Sequence, residues 1–209
     1  KFMKPSRLLH LEPKVTSQLK LRFFMRLKYV LHLLSYYLFK FESWHISPIE
    51  SREYCLDVVS YINDHVCLDD FVVEIGCGLG ETINRINSNK RCGYDLSSQV
   101  ISAAKIHHMF SKTEFQVGSF ASLTGQKIKY LIALNFLHDF DNVIVASWLD
   151  EIISNNEISY FVVDEVADPA YKNNHNFSKI LPHTFLLLES IGQEYRYNRT
   201  LKVFKYHGA

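Results

Sequence analysis

The stretch "FVVEIGCGLGETINRI", Phe71–Ile86, decides how the rest of the chain is read. An apolar run carrying one acid, Glu74, leads into glycines at 76, 78 and 80, and a helix-like segment follows over about 81–89. Glycine accepts positive φ and lets the backbone approach a ligand closely. A helix that starts behind such a turn offers free N–H groups and the positive end of its dipole. Phosphates and carboxylates both suit that arrangement, so the turn alone leaves several ligands open. Spacing narrows them. A dinucleotide loop, G-x-G-x-x-G, needs a third glycine where Glu81 stands, and a phosphate-binding loop needs a lysine that does not follow here.

Outward from the loop the chain alternates. "FVVEI", "RCGYDL", "TEFQVG", "YLIALNF" and "ISYFVVDEV" read as strands, with helical patterns at about 81–89, 97–110 and 141–154 between them. Strand–helix alternation predicts an α/β fold, a doubly wound and mostly parallel sheet with helices on both faces. Upstream, Pro48 separates a helix predicted over 49–65 from a long one over 14–41. Downstream, "HTFLLLESIGQ" reads as a helix ended by Gly192. "EYRYNRTLKVFKYHG" reads as two strands around "YNRT", an antiparallel hairpin at the sheet edge.

The segment "EIGCGLG" together with Asp95 in "CGYDLSSQVISAAK" resembles the class I S-adenosylmethionine-dependent methyltransferases. Their first motif is an acid at a strand end followed by x-G-x-G-x-G, and a second acid closes the next strand. The resemblance covers about residues 50–209. It implies a Rossmann-like, seven-stranded sheet with an antiparallel last strand, and S-adenosyl-L-methionine as cofactor with S-adenosyl-L-homocysteine as product. Carried onto this chain, it implies that Gly76, Cys77, Gly78 and Gly80 present backbone to the methionine part. Glu74 would orient the loop or bind the amino group. Asp95 would hold both ribose hydroxyls, and Leu96 would flank the adenine. Ser119 and Phe120 would edge the adenine where many members carry an acid, and Asn135 would sit beside the methionine moiety.

Methyl transfer asks a protein mainly to position two reactants. An oxygen or nitrogen nucleophile also needs its proton removed, which suits a His or a carboxylate. His138 and Asp139 follow the fourth strand, at the sheet edge where open α/β folds bind ligands. His45, beside Trp44, stands before the first motif, where a lid over the pocket would lie. Each His is equally readable as a packing or capping residue. Asp164 and Glu165 are read as ending the fifth strand, where they could meet a hydroxylated or cationic substrate; His175 and His183 follow. No cluster has metal-ligand spacing, so a metal-independent enzyme is expected.

The 209 residues are enough for one well-cored domain and carry a formal net charge of +1. The charge is unevenly spread. Residues 1–40 hold nine Lys or Arg against Glu12 alone, leaving fourteen basic against twenty-one acidic residues beyond them. A basic helical segment at 1–48 is therefore expected to cap the site or touch a partner or an anionic membrane, with the methyltransferase domain over 49–209. The acidic remainder disfavours a nucleic-acid backbone. The longest apolar run, Tyr29–Phe39, has eleven residues and contains a His, too short to span a bilayer. No signal-peptide pattern is present. Cys55, Cys67, Cys77 and Cys92 form no CxxC pair and read as reduced thiols of a cytoplasmic protein, peripheral at most to the inner membrane face. The expected activity is O-methylation of a small molecule or a sugar or glycan. The alternatives are a non-catalytic module of the same fold held to a partner through residues 1–40, and a nicotinamide-dependent enzyme.

Overall fold

The computed structural model describes residues 12–208; residues 1–11 of the basic segment, and Ala209, lie outside the described residues. Seven strands form one sheet: β1 (Phe71–Ile75), β2 (Lys90–Asp95), β3 (Glu114–Val117), β4 (Lys127–Ala133), β5 (Glu157–Val166), β6 (Phe185–Tyr195) and β7 (Arg199–Tyr206). Their spatial order is β3-β2-β1-β4-β5-β7-β6. β1 pairs in parallel with β2 and with β4, and β7 runs antiparallel between β5 and β6. This is the doubly wound, mostly parallel sheet with a closing antiparallel hairpin that the sequence predicts.

The helices are α1 (Glu12–Phe39), α2 (Glu53–Asn63), α3 (Ser98–His107), α4 (Asn142–Asn155) and the single turn α5 (Phe177–Ile180). Side chains alternate across the central strands, so each strand feeds two cores. Val73, Leu131 and Phe161 point to the face covered by Val145, Leu149 and Ile152 of α4. Val72, Ile132 and Val162 point to the other face, against Val58 and Ile62 of α2 and Ile101 and Ala104 of α3. A third cluster, with Phe41, Ile46, Leu79, Val100 and Ala103, seats α1 and the turn after it beside the glycine loop.

Three sequence expectations change. The helix predicted over 81–89 is only a 3-10 turn, Ile83–Arg85. The segment "NSNK" before β2 favours turns through side-chain bonds to the backbone. Here Asn63 Oδ1 accepts from Asn87 N, and Ser88 Oγ donates to the Asp70 carbonyl. The site therefore has no helix dipole behind its glycines. Second, "HTFLLLESIGQ" is not a helix: from Phe185 onward it is β6, paired with β7 from Phe185↔Tyr206 to Tyr195↔Arg199. Register shifts between Leu187 and Glu189 and between Ile191 and Tyr195 break the two-residue alternation that would have announced a strand. Third, Gly192 takes φ 71° inside the second irregularity rather than ending a helix. The hairpin at "YNRT" is present. Tyr197 and Asn198 take φ 68° and 48°, the left-handed pair that a tight hairpin turn needs.

Candidate active site

A cavity of about 280 Å³ opens at the carboxyl ends of β1, β2 and β4. Parallel strands all end there, so their terminal residues and the loops that follow converge on one rim. The loop 76–80 forms one wall. Gly76 and Gly78 take φ 71° and 54°. A Cβ on Gly76 would lie 2.5 Å from the Phe136 ring, and one on Gly78 would lie 2.8 Å from His45 Nδ1. Both positions therefore exclude side chains on two counts, conformation and space. Cys77 lines the same wall with its thiol buried. Gly80 does not line the cavity; it lets the loop close onto Phe115 of β3.

Asp95, at the end of β2, is locked in place. Its Oδ2 accepts from Gly78 N at 3.0 Å and its Oδ1 from Ser97 N at 3.0 Å. A carboxylate has about four acceptor sites, so two remain for groups in the cavity. Leu96 beyond it is 69% exposed and forms an apolar lip. Ser119 caps a 3-10 turn in which Phe120 is buried, and Phe120 stacks at 5.9 Å on Trp148. Phe136 and Phe140 complete an aromatic floor with Trp148.

Glu74 lies at the deep end, 4% exposed, with Oε2 accepting from Ile83 N at 3.0 Å. Burial pushes its carboxyl up to about 8, opposed by the Ile83 amide and by Arg52. Arg52 shares that end of the cavity. Its Nη2 donates to Glu81 Oε2 at 3.3 Å, while its buried Nε has no partner. An unpaired donor beside a buried carboxyl is the pair an amino acid's carboxylate and ammonium would complement. Arg52 was not singled out from sequence; its only signal is a lone arginine at the start of α2.

His45 overhangs the loop. Burial lowers its pKa below the ordinary value, while the carboxylates of Asp95 and Glu42 pull it upward. Trp44 beside it is 69% exposed at the cavity mouth. Asp139 also lines the cavity. His138 does not: its ring packs edge-on against Tyr171 at 4.3 Å, and its carbonyl accepts from Asn173 N at 3.2 Å. His175 bonds to Asn142 and to the Leu137 carbonyl, and His183 lies on the surface.

The acids read as ending β5 are not free for substrate. β5 continues to Val166, and Asp164 is buried in an ion pair with Arg199 while Oδ1 accepts from Asn135 N at 2.8 Å. Arg199 Nη2 donates to Asn135 Oδ1 at 2.7 Å. This lock holds Asn135 at φ 62° on the cavity rim. Glu165 accepts from Phe177 N at 2.8 Å and starts α5.

No family model matches the chain, and no curated protein matches it. Solved structures do. Magnesium protoporphyrin IX methyltransferase from Synechocystis PCC 6803, with bound S-adenosylmethionine, superposes with a TM-score of 0.63 at 16% identity, over 76% of this chain and 80% of that one. The N-methyltransferase NodS from Bradyrhizobium japonicum WM9, in complex with S-adenosyl-L-homocysteine, gives 0.63 at 13%, over 74% and 86%. The methyltransferase domain of bacterial CtHen1 gives 0.58 at 13%, over 74% and 98%. The fold is that of the class I S-adenosylmethionine-dependent methyltransferases.

Proposed function

We propose that the protein is an S-adenosylmethionine-dependent methyltransferase acting on a small molecule or a sugar or glycan, with oxygen as the methyl acceptor. One observation carries this reading. The Asp95 carboxylate, the loop with Gly76 and Gly78, and the Glu74–Arg52 pair line a single cavity, and these are groups that a nucleoside joined to an amino acid would need. Neighbours of the same fold are described with S-adenosylmethionine or S-adenosyl-L-homocysteine bound.

In this reading Asp95 takes the ribose hydroxyls, and Leu96, Ser119 and Phe120 border the adenine. Glu74 takes the ammonium and Arg52 the carboxylate. A cofactor held there would supply an electrophilic methyl group and a neutral thioether as leaving group. The protein's part is alignment and proton removal. His45, neutral at pH 7 because burial lowers its pKa, can take the acceptor's proton, and Asp139 is the second candidate base. His138 would serve only if Tyr171 moved. Four unpaired cysteines support a reducing, cytoplasmic setting.

The test is turnover. With methyl-labelled S-adenosylmethionine and pooled small-molecule and oligosaccharide acceptors, labelled product and S-adenosyl-L-homocysteine should appear together. They should vanish in Asp95→Ala. Cofactor binding without turnover on any acceptor would favour the non-catalytic module, to which the packing of His138 away from the cavity already lends weight.

A further inference from the structure

Most amphipathic helices turn their apolar stripe inward. α1 turns only part of its apolar surface inward and leaves a second stripe outside. Its docked face carries polar ties beside the partly buried Leu33, Tyr36 and Phe39: Lys28 Nζ reaches Glu81 Oε1 at 3.0 Å, His32 Nδ1 meets the Ile46 carbonyl at 2.9 Å, and Ser35 Oγ meets His107 Nε2 at 2.9 Å. These contacts fix which side looks outward. On that side Phe23, Leu27, Val30, Leu34 and Leu38 form one stripe, each between 45% and 72% exposed. The stripe runs roughly 22 Å along the helix at 1.5 Å per residue. Exposed apolar surface of this extent marks an interaction site.

Charge identifies the occupant. No Asp or Glu occurs between Glu12 and Glu42, and Arg22, Arg26 and Lys40 are exposed around the stripe. A second copy would bring the same cations face to face with no acid to pair them. A surface of lipid phosphates meets both features at once, with acyl chains for the stripe and anions for its flank. Among the described residues no helix is long and apolar enough to cross a membrane, so α1 would lie flat. We propose that the outward face of α1 seats this protein on an anionic lipid bilayer. The inference does not rest on methyl transfer. It would hold equally for a non-catalytic module.

Vesicle sedimentation with the full chain tests it, using phosphatidylcholine alone and an equal mixture with phosphatidylglycerol. The parent protein should sediment with the mixture and far less with phosphatidylcholine. Leu27→Gln with Leu34→Gln should weaken binding at least about tenfold, since each leucine loses its transfer from water. Arg22→Gln with Arg26→Gln should weaken it several-fold, as should added salt. All four side chains lie in solvent, so melting temperatures should stay those of the parent, and the arginine pair provides a second variant independent of the first. The proposal is overturned if the parent ignores anionic vesicles, or if both variants bind as it does. It is equally overturned if light scattering finds a dimer that the leucine variant dissociates while vesicles are ignored.

Discussion

Gly78 stands where several demands meet. Its φ is 54°, its amide donates to Asp95 Oδ2 at 3.0 Å, and its missing side chain leaves room for His45. Gly78→Ala would strain the backbone and displace the imidazole, so S-adenosyl-L-homocysteine affinity should fall about tenfold or more by calorimetry. Arg52 makes a sharper prediction because its effect is selective. Arg52→Ala should weaken S-adenosyl-L-homocysteine about tenfold or more while leaving methylthioadenosine, which lacks the amino-acid part, nearly unchanged. Equal loss for both ligands would make Arg52 a purely structural partner of Glu81. Glu74 adds a pH signature. Its carboxyl is raised from 4.5 to about 8 in the folded protein, so its contribution to stability is complete below 4.5 and drains away as pH rises through 8. Glu74→Gln keeps an acceptor for Ile83 N, and the melting temperature of the parent should fall relative to this variant across that window. The glycines and Asp95 were legible in sequence because their spacing is local. Arg52 was not: its partner Glu81 lies 29 positions away and only the fold joins them.

At the scale of elements, Glu81 binds the N-terminal helix to the glycine loop. It is 5% exposed and meets Lys28 at 3.0 Å, Arg52 at 3.3 Å and Ile49 N at 2.8 Å. The sequence used Glu81 only to exclude a dinucleotide spacing. Glu81→Ala leaves Arg52 and the buried Ile49 amide without their acceptor and Lys28 with Glu50 alone, and should cost roughly 2–4 kcal/mol in urea unfolding. Lys127→Ala removes an ion pair with Glu157 that is almost wholly exposed, and should change stability by less than about 0.5 kcal/mol. The central parallel strands β1, β4 and β5 were easy to find because burial on both faces makes them largely continuous apolar runs. β6 was missed because it is an edge strand with two irregularities, and its Leu186–Leu188 run follows neither strand nor helix period. The short turn at Ile83–Arg85 was missed because its tie is Glu74 Oε2 to Ile83 N, a contact no periodicity records.

Over the whole molecule, the sheet delivers three strand ends to one rim and α1 reaches that rim from outside, through Lys28 and Glu81. Under the proposed reading the cofactor half of the cavity would be built, Arg52 apart, from residues whose pattern is readable in the chain. Under the same reading the acceptor half would come from His45, Trp44 and Asp139, which two separate segments bring to the same cavity. That dispersal is why the parallel sheet with its closing hairpin was legible and the acceptor side was only partly so. Asp164 illustrates the difference: it reads as an exposed strand end, yet Arg199, 35 positions away, takes it into the interior. If His45 removes the acceptor's proton, the acid limb of kcat/KM should lie below pH 6.5, the direction in which burial moves its pKa, and should flatten in His45→Gln. The central claim is that this cavity holds a nucleoside–amino acid cofactor, and calorimetric titration with S-adenosyl-L-homocysteine and with NADH tests it directly. The account predicts one S-adenosyl-L-homocysteine site per chain, weakened at least about tenfold by Asp95→Ala, and no NADH binding at the same concentrations. Preference for NADH, or no S-adenosyl-L-homocysteine binding by the folded protein, would contradict it.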